Sequence, residues 1–123
     1  MVDTKVAEHR TLRFPTPEQM WTEVDRVVAA DRAGNLRRTG NWTTGQCLGH
    51  LVTWTNVAYD GYPIKPPWII KAILRLMKKR YLRGALPRGA RIPKIEGGTL
   101  GIEPLGLDQG LATFRSEWDR LVK

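Results

Sequence analysis

Three sets of residues have types and spacings that bear on chemistry, and the first is centred on His50. It is the one histidine inside a helical pattern, since His9 precedes the first such pattern. On the inward face of a bundle helix an imidazole ligates a metal when facing helices supply the other donors. Otherwise it hydrogen-bonds to a neighbour at the core edge. No HxxxH or HExxH occurs, and the helical carboxylates Glu23, Asp25, Glu117 and Asp119 project away from the apolar stripes. One histidine does not complete a three- or four-ligand zinc or nickel site. Cys47 stands at i, i+3 from His50, so thiol and imidazole share a helix face. A Cys/His nucleophile pair also needs an oxyanion hole, and no signature of one accompanies Cys47, which reads as a small buried hydrophobe.

The third set is a basic block. Residues 61–95 hold ten Lys and Arg and no acid, leaving ten basic against twelve acidic residues elsewhere. Within it Lys71, Arg75, Lys78, Lys79, Arg80 and Arg83 fall on one predicted helix, as candidates for contact with an anionic surface. Trp68 and an Ile/Leu/Met face opposite the lysines suit a helix lying in a membrane interface. The plainer reading is a solvated face whose cations complement the helix C-terminus. No nucleic-acid-binding motif or pattern of stacking aromatics accompanies the charge, so no specific nucleic acid is expected. Nucleophile elbows, phosphate loops and dinucleotide fingerprints are absent too. The run Gly97-Gly98-Thr99-Leu100-Gly101 lacks a lysine and a following helix, and reads as a loop.

The elements that must position these residues are helical. Thr16, Pro17, Glu18 and Gln19 supply an N-cap, a proline at N1 and capping-box spacing for a first helix. Its apolar arc is Met20, Trp21, Val24, Val27 and Val28, and it ends at 31–34. Thr43 and Gln46 open a second helix that runs to about Tyr59, where Asp60, Gly61, Tyr62 and Pro63 close it. Its apolar face is Cys47, Leu48, Leu51, Val52, Trp54, Ala58 and Tyr59; Gln46, Thr53 and Asn56 mark its polar side. A third helix is predicted over 67–82, with Ile69, Ile70, Ile73, Leu76 and Met77 opposite the cations. The last starts near Asp108 as N-cap and carries Leu111, Phe114, Trp118, Leu121 and Val122. Residues 83–107 show no sustained period, and short extended pieces are expected at 91–95 and 99–102.

Composition bounds the rest. A chain of 123 residues fits one domain, 1–123, and its 41% hydrophobic and 26% charged content is ordinarily globular. The segment 61–107 reads as a Pro/Gly-rich basic insertion, because 61–106 holds seven of twelve glycines and six of eight prolines. The net charge of +8 raises a nucleic-acid or anionic-membrane reading. A single cysteine excludes an internal disulfide, and the N-terminal residues hold no apolar signal core, so the expectation is cytoplasmic. The richest apolar stretch is broken by four cations and is far short of a membrane span.

The block Gly40-Asn41-Trp42-Thr43-Thr44-Gly45-Gln46-Cys47-Leu48-Gly49-His50-Leu51, followed by Asp60-Gly61-Tyr62-Pro63, resembles the hallmark of a DinB/YfiT-like branch of unknown function. There a Gly-x-Trp-Ser/Thr-x-x-Gln-x-x-x-His-Leu block opens the second bundle helix. Arg10 to Phe14 resembles the same branch's entry strand, and the likeness covers nearly all of the chain. It implies an all-α, DinB-like helical bundle whose relatives are metal-dependent, often thiol-linked transferases or hydrolases. In those relatives the first ligand matches His50 and two more come from an HxxxH pair on a final helix, which this sequence lacks. The expectation is therefore a truncated or degenerate metal-binding domain, with His50 as a remnant or shared ligand of zinc or nickel. A second copy or a partner helix would complete the bundle. The alternative is a non-catalytic interaction module that contacts a partner helix, an anionic membrane or nucleic acid through 65–94. No reaction is named by the sequence.

Overall fold

A computed structural model of the chain describes residues 3–61, 65, 67–83, 91, 95 and 99–123. The described residues form four helices in the order α1 (Pro17–Arg32), α2 (Thr44–Asp60), α3 (Trp68–Arg83) and α4 (Leu107–Val122), and no strand. The expected extended pieces are therefore not strands where they are described: 10–14 is irregular and 99–102 is a series of bends. Residues 92–94 lie outside the described residues, as does most of the predicted insertion between 84 and 98.

Helix starts follow the caps. The Thr16 hydroxyl accepts the Gln19 N–H at 3.3 Å, with Pro17 in the first turn. Thr43 and Gln46 form the full reciprocal capping box: Thr43 Oγ1 accepts from the Gln46 N–H at 3.1 Å, and Gln46 Oε1 from the Thr43 N–H at 2.9 Å. The last helix departs from expectation. Its N-cap is Gly106, which has no side chain to cap with, and Asp108 sits in the first turn and pairs with Arg32 of α1. A carboxylate there still favours the helix N-terminus through the dipole.

Three helices make the core. Val28 of α1, Leu48 of α2 and Phe114 of α4 are buried, and Met20, Trp21, Val24, Val52, Leu107, Leu111 and Trp118 pack round them. Trp21 reaches from α1 to α4, its ring 5.0 Å from Phe114 and 6.3 Å from Trp118 in an edge-on contact. Such offset and edge-to-face pairs add to what apolar burial alone supplies. Outside them Arg115 lies over the Trp21 ring and pairs with Asp25, bridging the same two helices. Glu23 accepts from Arg26 and Arg10, which hold its carboxyl down at about 2. Val122 is exposed and off the expected stripe of α4.

The face of α2 that is covered is rotated from the one its hydrophobicity predicts. Of the expected face Leu48 is buried and Val52 and Trp54 are half-buried, but Cys47, Leu51, Ala58 and Tyr59 are exposed, whereas Thr44 and Gly45 are buried and Gln46, Gly49, Thr53 and Asn56 half-buried. The reason is close approach. A Cβ on Gly45 would overlap the Leu105 carbonyl oxygen, and one on Gly49 would lie 3.0 Å from Leu105 Cδ2. One on Gly110 of α4 would lie 3.2 Å from Leu48 Cβ. Gly101 has φ +74°, a conformation suited to glycine, and its Cα faces Thr53. Glycines thus let the 99–106 segment and α4 settle directly on the α2 backbone.

Gly45→Ala tests this packing. Alanine gains up to about 1 kcal/mol of helix propensity, but the obstruction is a backbone carbonyl that cannot rotate aside. We expect a net loss of about 2 kcal/mol or more in urea unfolding. Gly40→Ala, where a Cβ meets nothing within 4 Å, should stay within about 0.5 kcal/mol of wild type.

Candidate functional site

The segment 99–106 crosses α2 where its polar side chains stand. His50 Nδ1 lies 2.8 Å from the Leu100 carbonyl oxygen, and Gln46 Nε2 donates to the Ile102 carbonyl at 2.9 Å. The positive φ of Gly101 lies between the two carbonyls that α2 receives. Because a carbonyl only accepts, Nδ1 carries a proton, and in the neutral ring Nε2 is left with the lone pair. The imidazole is held between two indoles, 5.0 Å from Trp42 and 6.1 Å from Trp54 between ring centroids. His50 is thus half-buried, oriented and bonded to backbone. That is the hydrogen-bonded arrangement at the core edge, and it is also the way protein-bound metals commonly have their histidine ligands oriented.

The metal donors around it are incomplete. Among the described residues no group of three His, Cys, Asp or Glu gathers where it would hold a metal ion. The helical carboxylates are engaged elsewhere, with Glu23, Asp25 and Glu117 each in ion pairs. Cys47, one turn before His50, lines a different space. It is exposed rather than buried, on the wall of a broad cleft. Partial desolvation pushes its thiol pKa up, and the Arg38 charge pulls the other way. A thiol so held is less of a thiolate at neutral pH, which counts against a nucleophilic Cys47.

The cleft measures about 1250 Å³ and lies between the N-terminal segment, the 36–42 loop and the start of α2. Lys5, Arg10, Arg37, Arg38 and Arg91 line it, with Asp3 and Glu8. This basic cluster is not visible as a charge run, because its cations come from three separate stretches. The adjacent Arg37-Arg38 ahead of the Trp42 block is the one local signal. A smaller cavity of about 250 Å³ lies between α2, residues 101–105 and α4, bordered by Thr53, Glu103, Gln109 and Thr113.

The six cations predicted to meet an anionic surface all lie on α3 and are all exposed: Lys71, Arg75, Lys78, Lys79, Arg80 and Arg83. The apolar side of the helix is not where a core would put it. No α3 residue is buried; Ile70, Met77 and Tyr81 are half-covered, while Ile69, Ile73, Leu74 and Leu76 are exposed. Among the described residues α3 packs extensively on none of the other helices. No helix among them is long and apolar enough to cross a membrane.

If His50 is a staple for the 99–106 segment, His50→Phe keeps a ring between the indoles and removes the donor to Leu100. Leaving that carbonyl unpaired should cost about 1–2 kcal/mol in urea unfolding and speed amide exchange in 99–105. Unchanged exchange would show that the segment is held by other contacts.

Comparison with known proteins adds one match. No curated protein and no solved structure matches the chain. A family model described as Protein of unknown function (DUF1569) matches residues 6–118, from the N-terminal segment through α4. With nearly its whole length so matched, the chain belongs to the DUF1569 family.

Proposed function

We propose that this chain is an interaction module that docks on anionic lipid surfaces through α3. The observation that carries the reading is the exposure of apolar side chains beside cations on one helix: Trp68 is 77% and Leu76 85% exposed. In water such a face is costly, and burying a Leu or Ile returns about 1.5–3 kcal/mol per side chain. At 100° per residue Ile69, Ile73 and Leu76 share one flank, while Lys71, Arg75 and Lys78 lie across from it. Arg80 falls within the apolar flank, where its long stem can lie along the surface with its charge at the headgroups. The helix then rests in the plane of the interface, apolar flank toward the acyl boundary.

Co-sedimentation with vesicles tests this. The chain should bind phosphatidylserine-containing vesicles, bind pure phosphatidylcholine weakly, and release as salt rises. Each cation near such a surface contributes about 1 kcal/mol, so Lys78→Glu with Lys79→Glu should lower binding at least about 30-fold. Equal binding to both vesicle types, or no effect of the double reversal, would sink the reading.

A second reading rests on the His50 tautomer. The Nδ1 bond to Leu100 leaves Nε2 as the nitrogen that would ligate, and the resemblance to DinB-like proteins implies a first metal ligand at this histidine. The described residues do not complete a ligand set, so the remaining donors would come from a second copy or partner helix. Exposed Leu51, next to His50 on α2, is where such a chain would pack. On this reading the purified chain retains zinc or nickel and loses it on His50→Ala; metal content unchanged by that substitution, or absent from the start, removes His50 as a ligand.

A further inference from the structure

We propose that the cleft between the N-terminal segment and the 36–42 loop binds a small organic oxyanion, a phosphate or carboxylate carried on an apolar body. The charge of its walls is the first argument. Among the described residues five cations and two carboxylates line the cleft, an excess of positive charge that ion pairing reduces but does not cancel. Glu8 is taken up by Arg37 at 2.8 Å, and Arg10 is paired with Glu23 outside the cleft lining. Arg38 and Arg91 have no carboxylate partner among the described residues, and both are exposed. Arginine is the side chain whose planar fork matches an oxyanion with two parallel bonds.

The second argument is the helix that opens onto the cleft. Thr44, the first residue of α2, lines it. The capping box satisfies the N–H groups of Thr43 and Gln46, leaving those of Thr44 and Gly45 with no bond inside the helix. No acidic residue stands in the first turn of α2, so the positive end of the dipole is not offset there. The two features agree in sign at one place, with the guanidinium of Arg38 near enough to Cys47 for its charge to act on the thiol.

The third argument concerns the body of the ligand. The wall is not purely polar: the Trp42 ring, Val27, Leu36 and Ile102 also face the cleft. Small-molecule sites combine such apolar surface with a few placed polar groups in about 300–1000 Å³, and a cleft of about 1250 Å³ admits a molecule of that class with water beside it. Inorganic phosphate alone would use the arginines and leave Trp42 and Leu36 unused. This site is separate from the lipid-facing cations of α3, none of which lines the cleft.

Cys47 makes the test direct, because it is the only cysteine in the chain and lies in the cleft wall. The rate of its alkylation by neutral iodoacetamide is measured at constant ionic strength with 1-naphthyl phosphate or inorganic phosphate added. Naphthyl phosphate should slow the reaction saturably, at a concentration about tenfold or more below that of inorganic phosphate. Arg38→Gln with Arg91→Gln should raise that concentration at least about tenfold, while Lys78→Gln on α3 leaves it unchanged. Both arginines are exposed, and unchanged circular dichroism with an unchanged urea-unfolding midpoint establishes that the double variant is folded; its protection is read against its own probe-free rate, which loss of the Arg38 charge lowers. A shift of the Trp42 indole N–H resonance over the same titration reports occupancy without thiol chemistry. No saturable protection and no indole shift, equal protection in the double variant, or equal potency of the two probes would each overturn the proposal.

Discussion

The arrangement of this molecule depends on how near the backbone of residues 99–106 comes to α2. Gly45 and Gly49 stand at i, i+4, hence on one face, and Leu105 fills the space that their missing side chains leave. That approach brings two carbonyls, those of Leu100 and Ile102 on either side of Gly101, to the polar side chains of α2. Gln46 then serves two partners at once. Its Oε1 closes the capping box on Thr43 and its Nε2 donates to Ile102, so the helix start and the crossing segment form one hydrogen-bonded unit. Without the glycines neither carbonyl could reach its donor, and two buried or half-buried acceptors would lie against the helix unpaired.

This dependence bears on what His50 is for. A core-edge imidazole and a metal ligand looked like rival readings, yet the bond that defines the first also sets up the second. Nδ1 bonded to a carbonyl fixes the tautomer and ring plane, and the indoles of Trp42 and Trp54 restrict the ring further. The structural role is therefore met by Nδ1 alone, and any chemistry would belong to Nε2. The aromatic packing matters because buried apolar side chains are few among the described residues: Val28, Leu48 and Phe114. With so small a buried set, half-covered Trp21 and Trp118 carry much of the contact between α1 and α4. The exposed ion pairs Arg32–Asp108 and Arg115–Asp25 align these helices and contribute little to net stability.

The helices were legible because their signals are local. A threonine three residues before a glutamine announces a capped start whatever lies round it, and Thr43 with Gln46 did so. The start of α4 was harder, since Gly106 caps with no side chain and Asp108 reads as the cap while it serves Arg32. What failed was the orientation of α2. A wheel ranks faces by hydrophobicity, so Gln46, Thr53 and Asn56 mark a polar side, and nothing in that ranking singles out Gly45 and Gly49 beside them. That face is covered because small side chains admit a backbone, a contact that no hydrophobicity scale registers. His50 was legible as a residue of interest, whereas its partner was not: Leu100 lies fifty residues away in a stretch without period.

Charge shows the same contrast between counting along the chain and counting in space. By segment, the positive excess falls within 61–95. In the folded chain it divides according to where carboxylates are. Arg26, Arg32, Arg115 and Arg120 on α1 and α4 each meet one, so the bundle helices are largely neutralised from within. No α3 cation is in an ion pair among the described residues, and neither are Arg38 and Arg91 at the cleft. A cation left unpaired on a protein this basic keeps its full field for something outside the chain. On α3 that field stands beside exposed isoleucine and leucine over a helix length; at the cleft it stands beside one indole and a helix N-terminus within a bounded space. The first geometry favours an extended surface and the second a small molecule, which is why one net charge leads to two separate proposals.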